Sequence, residues 1–146
     1  MIRHAIFSVF IFACVASLSC QPYTAGLKQS VVRADEVSAI AGLHSIGVAQ
    51  RSYAATSGGD YGTFQQLAQG DYLDSRFNSD KPEVKDYGFM MAIGKKPGGG
   101  APTFSCNADP IRADKPGRHF YIDSDSPEVH VNPDQPATAS DPVFQP

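Results

Sequence analysis

The sequence predicts an α+β protein in which one long N-terminal helix packs on a small antiparallel β-sheet, following a signal peptide. Three observations carry this expectation. Apolar residues recur at helical spacing from Lys28 to Thr56, period-two alternation takes over from Tyr87, and a glycine-containing break at Ser57-Gly58-Gly59 separates the two regimes. With 146 residues, 42% of them hydrophobic, the chain can bury one modest core.

Residues 1–19 read as a signal peptide. Arg3 is the positive end, and an apolar run from Ala5 to Leu18 is broken only by Ser8 and Ser17. This run is shorter than the twenty or so residues that span a bilayer, and polar, proline-containing sequence follows it. The Ser17-Leu18-Ser19-Cys20 stretch resembles a bacterial lipobox, with Ser17 where such boxes carry Leu. That resemblance implies lipidation of Cys20, a palmitate-type anchor in the cell envelope, and a lipoprotein on the periplasmic or outer-surface side. Each acyl methylene buried in the membrane contributes about 0.8 kcal/mol, so two or three chains hold a protein firmly. The other reading of Cys20 is an ordinary secretory signal with a coincidental cysteine, which leaves a Cys20–Cys106 disulfide open in an oxidising compartment.

Residues 20–27, with Pro22 and Gly26, read as a tether. From Lys28, Val32, Ala39, Leu43, Ile46 and Tyr53 fall on one side of a helix, with Arg33, Asp35, Ser38, Ser45 and Arg51 on the other side or its borders. Val37, Ile40 and Val48 lie outside that stripe and suggest a second covered side or a partner. Gly42 and Gly47 each cost an isolated helix about 1 kcal/mol, so packing has to hold it. Gly58 and Gly59 provide a left-handed stop. Thr63 and Gln66 then have the spacing of a capping box, predicting a short helix over Phe64–Gln69 that turns Phe64 and Leu67 to the core. Ser75 to Asp86 reads as a polar loop.

Four strands follow. Tyr87, Phe89, Met91 and Ile93 share a face, as do Phe104, Cys106 and Ala108, and the two runs form a hairpin with its tip at Lys95 to Pro102. Arg118–Asp123 and Val129–Asn132 complete the meander, closing a domain over 28–132. Residues 133–146, with Pro133, Pro136, Pro142 and Pro146, read as a disordered C-terminal tail in which Val143 and Phe144 alone have docking character.

The net charge is −3 and the chain has no basic cluster, which disfavours nucleic acid as a partner. No Gly-x-Ser-x-Gly elbow or phosphate loop is present, and Cys106 has no base beside it in sequence, so a non-enzyme is expected. Asp123, Asp125 and Glu128 alternate oxygen ligands across a turn and form a candidate calcium site, although the Gly and terminal Glu of an EF-hand loop are missing. His44, His119 and His130 offer no close pair for a transition metal. The alternative function carried by these residues is a soluble exported ligand- or calcium-binding domain.

A broader resemblance joins the segments. The runs Ala39 to Ile46, Gln50 to Tyr53 and Gly59-Asp60-Tyr61-Gly62 resemble the helix and helix-to-sheet connection of bacterial type IV pilin-like proteins and pseudopilins. Leu73-Asp74, Tyr87-Gly88-Phe89, Ala108-Asp109-Pro110 and Gly117-Arg118-His119-Phe120-Tyr121 continue it. The resemblance spans about Ala34 to Asn132 and implies a pilin-like head. It also implies partners among envelope proteins, such as those of a type II secretion or type IV pilus apparatus. The prepilin cleavage site and retained apolar helix of that family are absent, so the resemblance points to a pilin-like head on a lipid anchor rather than to an ordinary filament subunit.

Overall fold

The computed structural model describes the backbone of residues 23–146 and the side chains of residues 26–146. The expected signal peptide at 1–19 and the candidate lipidation site Cys20 lie outside the described residues. The architecture is α+β: a 34-residue helix α1 (Tyr23–Thr56), a short helix α2 (Phe64–Gln69), a 3-10 turn at Ser75–Phe77 and one five-stranded antiparallel sheet. The strands are β1 (Glu83–Val84), β2 (Tyr87–Lys95), β3 (Pro102–Pro110), β4 (His119–Asp123) and β5 (His130–Asn132), in sheet order 1-2-3-4-5. Each strand pairs with its sequence neighbour, as hairpin-connected strands do.

Helix α1 starts earlier than the periodicity predicts, so the tether reading of 20–27 is corrected for residues 23–27. A proline placed just before a helix removes no intrahelical hydrogen bond, and Gly26 weakens a helix without ending it. The predicted stripe holds: Ala39, Leu43 and Ile46 are fully buried and Tyr53 packs at the margin. Asp35 is the exception, since it is buried rather than on the solvent border. Gly42 and Gly47 now have a packing reason. A Cβ at Gly42 would sit 2.8 Å from Phe89 Cζ, and one at Gly47 would sit 3.0 Å from Ile122 Cδ1. The sheet approaches the helix at those two positions, so the burial of Phe89 and Ile122 offsets the helix-propensity cost.

The stop at Gly58 and Gly59 has φ of +68° and +96°, and the Thr63–Gln66 capping box is fully formed. The loop from Ser75 to Asp86 is more structured than its polarity suggests. Asp74 caps the 3-10 turn through Arg76 N, Phe77 is buried, and Glu83–Val84 forms β1. A two-residue run is too short to show alternation, and Lys85 at φ +57° supplies a turn without the usual glycine.

Register places Phe89–Ala108–Phe120–Val131 in one row on the helix side and Met91–Cys106–Ile122 in the next. These rows and α1 enclose the core, with Phe77 meeting Phe89 edge-on at 5.3 Å. Residues 133–146 are not a disordered tail, which corrects the compositional reading. Val131 N donates to Pro142 O at 2.9 Å, Phe144 N donates to Val129 O at 2.7 Å, and His130 bridges to Val143. Ala137 is buried and its carbonyl accepts from Asn107 Nδ2 at 2.8 Å. The prolines leave these few donors free to pair at an edge, where a missing N–H costs least.

Candidate functional site: the outer face of the long helix

Helix α1 buries one side in the core and turns the other to solvent, where a surface helix ordinarily carries charges. At 100° per residue, Leu27, Val31, Ala34, Val37, Ala41, Ser45 and Val48 lie on this outer side, and from Leu27 to Ala55 its central band contains no Asp, Glu, Lys or Arg. Leu27, Val31, Val37 and Val48 are 48%, 45%, 65% and 55% exposed. The serines add little polarity: Ser30 Oγ donates to Leu27 O, Ser38 Oγ to Ala34 O and Ser45 Oγ to Ala41 O, each at 2.9 Å. Hydroxyls bonded back to their own helix have no proton left for solvent, so the band is small-residued and largely apolar. Arg33 and Arg51 flank it on one side.

A groove of about 730 Å³ adjoins this face, lined by Val32, Arg33, Glu36, Val37, Ile40, Arg118 and Phe144. Its floor is an ion pair between helix and sheet. Glu36 Oε1 accepts from Arg118 N at 3.0 Å and Nε at 3.2 Å, while Oε2 accepts from Nη2 at 2.7 Å. Burial acts to raise the Glu36 pKa, but the Arg118 hydrogen bonds and charge outweigh it and hold the carboxyl below its ordinary value. The Arg118 guanidinium also lies 5.2 Å from the Phe144 ring centre and 5.7 Å from that of Phe120, joining helix, β4 and C-terminal segment at one point. Tyr87 Oη donates to Arg118 O at 2.8 Å, and a Cβ at Gly117 would come within 2.5 Å of Tyr87 Oη.

The candidate calcium ligands do not converge. Asp123 Oδ1 accepts from the N–H groups of Asp125 and Ser126 at 2.8 and 3.0 Å, and its Oδ2 accepts from Tyr121 Oη at 3.1 Å. Asp125 pairs with Lys96 at 3.0 Å, and Glu128 stands exposed at the end of the turn. Burial and the Asp123 charge push the Tyr121 hydroxyl up to about 12, so it acts as a donor throughout the physiological range. The arrangement is a self-satisfied polar turn, and among the described residues no group of three or more His, Cys, Asp or Glu side chains is placed to hold a metal.

The histidines likewise have separate partners. His119 Nδ1 lies 2.6 Å from Asp109 Oδ1, His130 Nδ1 lies 2.6 Å from Asp141 O, and His44 is exposed on α1. Cys106 is buried in the sheet's inner row, where desolvation, then the Asp109 charge, pushes its thiol far up and leaves it a small apolar residue.

Sequence reasoning missed Glu36, Arg118 and Gln50. Glu36 and Gln50 share the core-facing side of α1 with Leu43 and Ile46, and a polar residue on such a stripe signals a buried partner. Gln50 finds it in Gly62: Nε2 donates to Gly62 O at 2.7 Å and Oε1 accepts from Gly62 N at 2.9 Å.

No protein-family model, curated protein or solved structure matches the chain.

Proposed function

We propose that this chain is a non-enzymatic, lipid-anchored envelope protein with a pilin-like domain. It acts through protein–protein contacts, with components of a type II secretion or type IV pilus apparatus as the partner class. The observation that carries the proposal is the uncharged outer band of α1. A 34-residue helix whose solvent side holds Leu27, Val31, Val37 and Val48 among back-bonded serines has the surface of a helix that packs against another helix. The band begins seven residues after Cys20, so a lipid on that cysteine would hold it close to the membrane. The helix-on-sheet architecture and the order of pilin-like segments support the same reading.

Two measurements test it. Labelled palmitate is expected in the full-length chain and not in Cys20→Ser; incorporation that persists in the variant refutes the anchor. A photo-crosslinking residue at Val37 or Val48 is expected to yield adducts with pilus or secretion components, and adducts only at positions off the helix refute the contact face.

A further inference from the structure

The two edges of the sheet are finished differently. On the β5 side, residues 142–144 pair with Val129 and Val131 and seal the edge. On the other side, β1 pairs with β2 only at Tyr87 and Gly88, and the cover ends where Phe89 N donates to Pro82 O at 2.9 Å. Backbone direction alternates along a strand. Phe89 faces β1, and Lys96 N, bonded to Ala101 O at 3.0 Å, faces β3. Met91, Ile93 and Lys95 therefore turn their N–H and C=O groups outward, and among the described residues nothing pairs with them on that side.

Natural proteins blunt such an edge with charge, proline or a bulge. The stretch from Met90 to Gly94 has none of these: its residues are Met, Met, Ala, Ile and Gly, paired with β3 in unbroken register. Met90 and Ile93 are exposed, and a groove of about 150 Å³ separates Met91 and Ile93 from Asp80 and from Thr63 and Gln65 at the start of α2.

We propose that this edge pairs with the same edge of a second copy, antiparallel about a two-fold axis at Ile93, to make one continuous sheet. Two features select a second copy as occupant. Lys95 and Asp80 stand at opposite ends of the open segment, and neither is in an ion pair among the described residues. With Ile93 facing Ile93, Met91 faces the second copy's Lys95, whose ammonium then lies over Asp80, and symmetry makes this contact twice. Among the described residues the opposite edge is covered by the C-terminal segment, flanked by Pro142 and Pro146, so pairing through the β2 edge stops at two copies and does not propagate into a fibre. The inference stands apart from the lipid anchor and from the outer face of α1.

The test is disulfide trapping between two differently tagged full-length chains expressed together in bacterial cells. Ile93→Cys replaces a side chain that is 42% exposed, and Val48→Cys on the outer helix face serves as the comparison. A disulfide between the two tags at Ile93→Cys, well above that at Val48→Cys, is expected. Adding Lys95→Asp is expected to lower the trapped dimer about tenfold, and adding Asp80→Lys as well to restore it. Equal trapping at both cysteines, adducts to a different protein in place of the homodimer, or a yield indifferent to Lys95→Asp would each overturn the proposal.

Discussion

Glu36 shows how one residue joins distant parts of the chain. Its side chain is 8% exposed and its Arg118 partner 42% exposed, so the pair is sheltered on one side and screened on the other. Replacing Glu36 by Gln removes the charge while keeping the shape, and is expected to cost about 1–2 kcal/mol in urea unfolding at neutral pH. The pH dependence follows from the direction of the shift. A carboxyl held below its ordinary value in the fold contributes stability that is fully present above its unfolded pKa and is lost as pH falls through its folded pKa. The parent chain is therefore expected to lose this share of stability on acidification below about pH 5, and Glu36→Gln to lose less over the same range. Unfolding titrations at several pH values check this, and parallel curves would refute it.

At the scale of elements, the joint between α1 and α2 depends on Gln50. The amide closes a two-bond ring with the buried backbone of Gly62, and its Nε2 also lies 2.9 Å from Met91 Sδ. Gln50→Leu is close in size but leaves the N–H and C=O of Gly62 without partners. The expected loss is about 2–4 kcal/mol in equilibrium unfolding, well above that of a surface substitution such as Gln65→Leu. The capping box at Thr63 and Gln66 was legible from spacing alone because both of its bonds are local. The Gln50–Gly62 ring spans 12 residues and has no local spacing rule.

At the scale of the molecule, the C-terminal segment decides how the sheet ends. Phe144 meets Phe120 edge-on at 6.0 Å and stacks by Arg118, while Val131 N donates to Pro142. Phe144→Ala is expected to cost about 1–2 kcal/mol, because the ring is only half-buried. A chain ending at Asn132 is expected to lose amide protection at Val131, and hydrogen exchange reads this directly; unchanged protection would refute the edge role. The same truncation would give the sheet two open edges, so the closing segment bears on association as well as stability.

The sequence by itself determined the two α-helices and the four longer strands, though not the first turn of α1, the 3-10 turn or the two-residue β1. Leu43 and Ile46, Phe89 and Met91, and Phe104 and Cys106 repeat with the period of their own backbone, and Gly58, Gly59 and Thr63 punctuate it with local chemistry. It also carried the exposed valines off the helix stripe, which became the candidate contact face. Tertiary structure alone decided what those segments do to one another: the burial of Asp35 and Glu36, the pairing of Arg118, the docking of residues 133–146 and the open edge of β2. The physical reason is sequence distance. Glu36 and Arg118 are 82 residues apart, so no periodicity links them, and a proline-rich segment that reads as entropically costly becomes ordered once a sheet edge offers unpaired backbone and an exposed aromatic face.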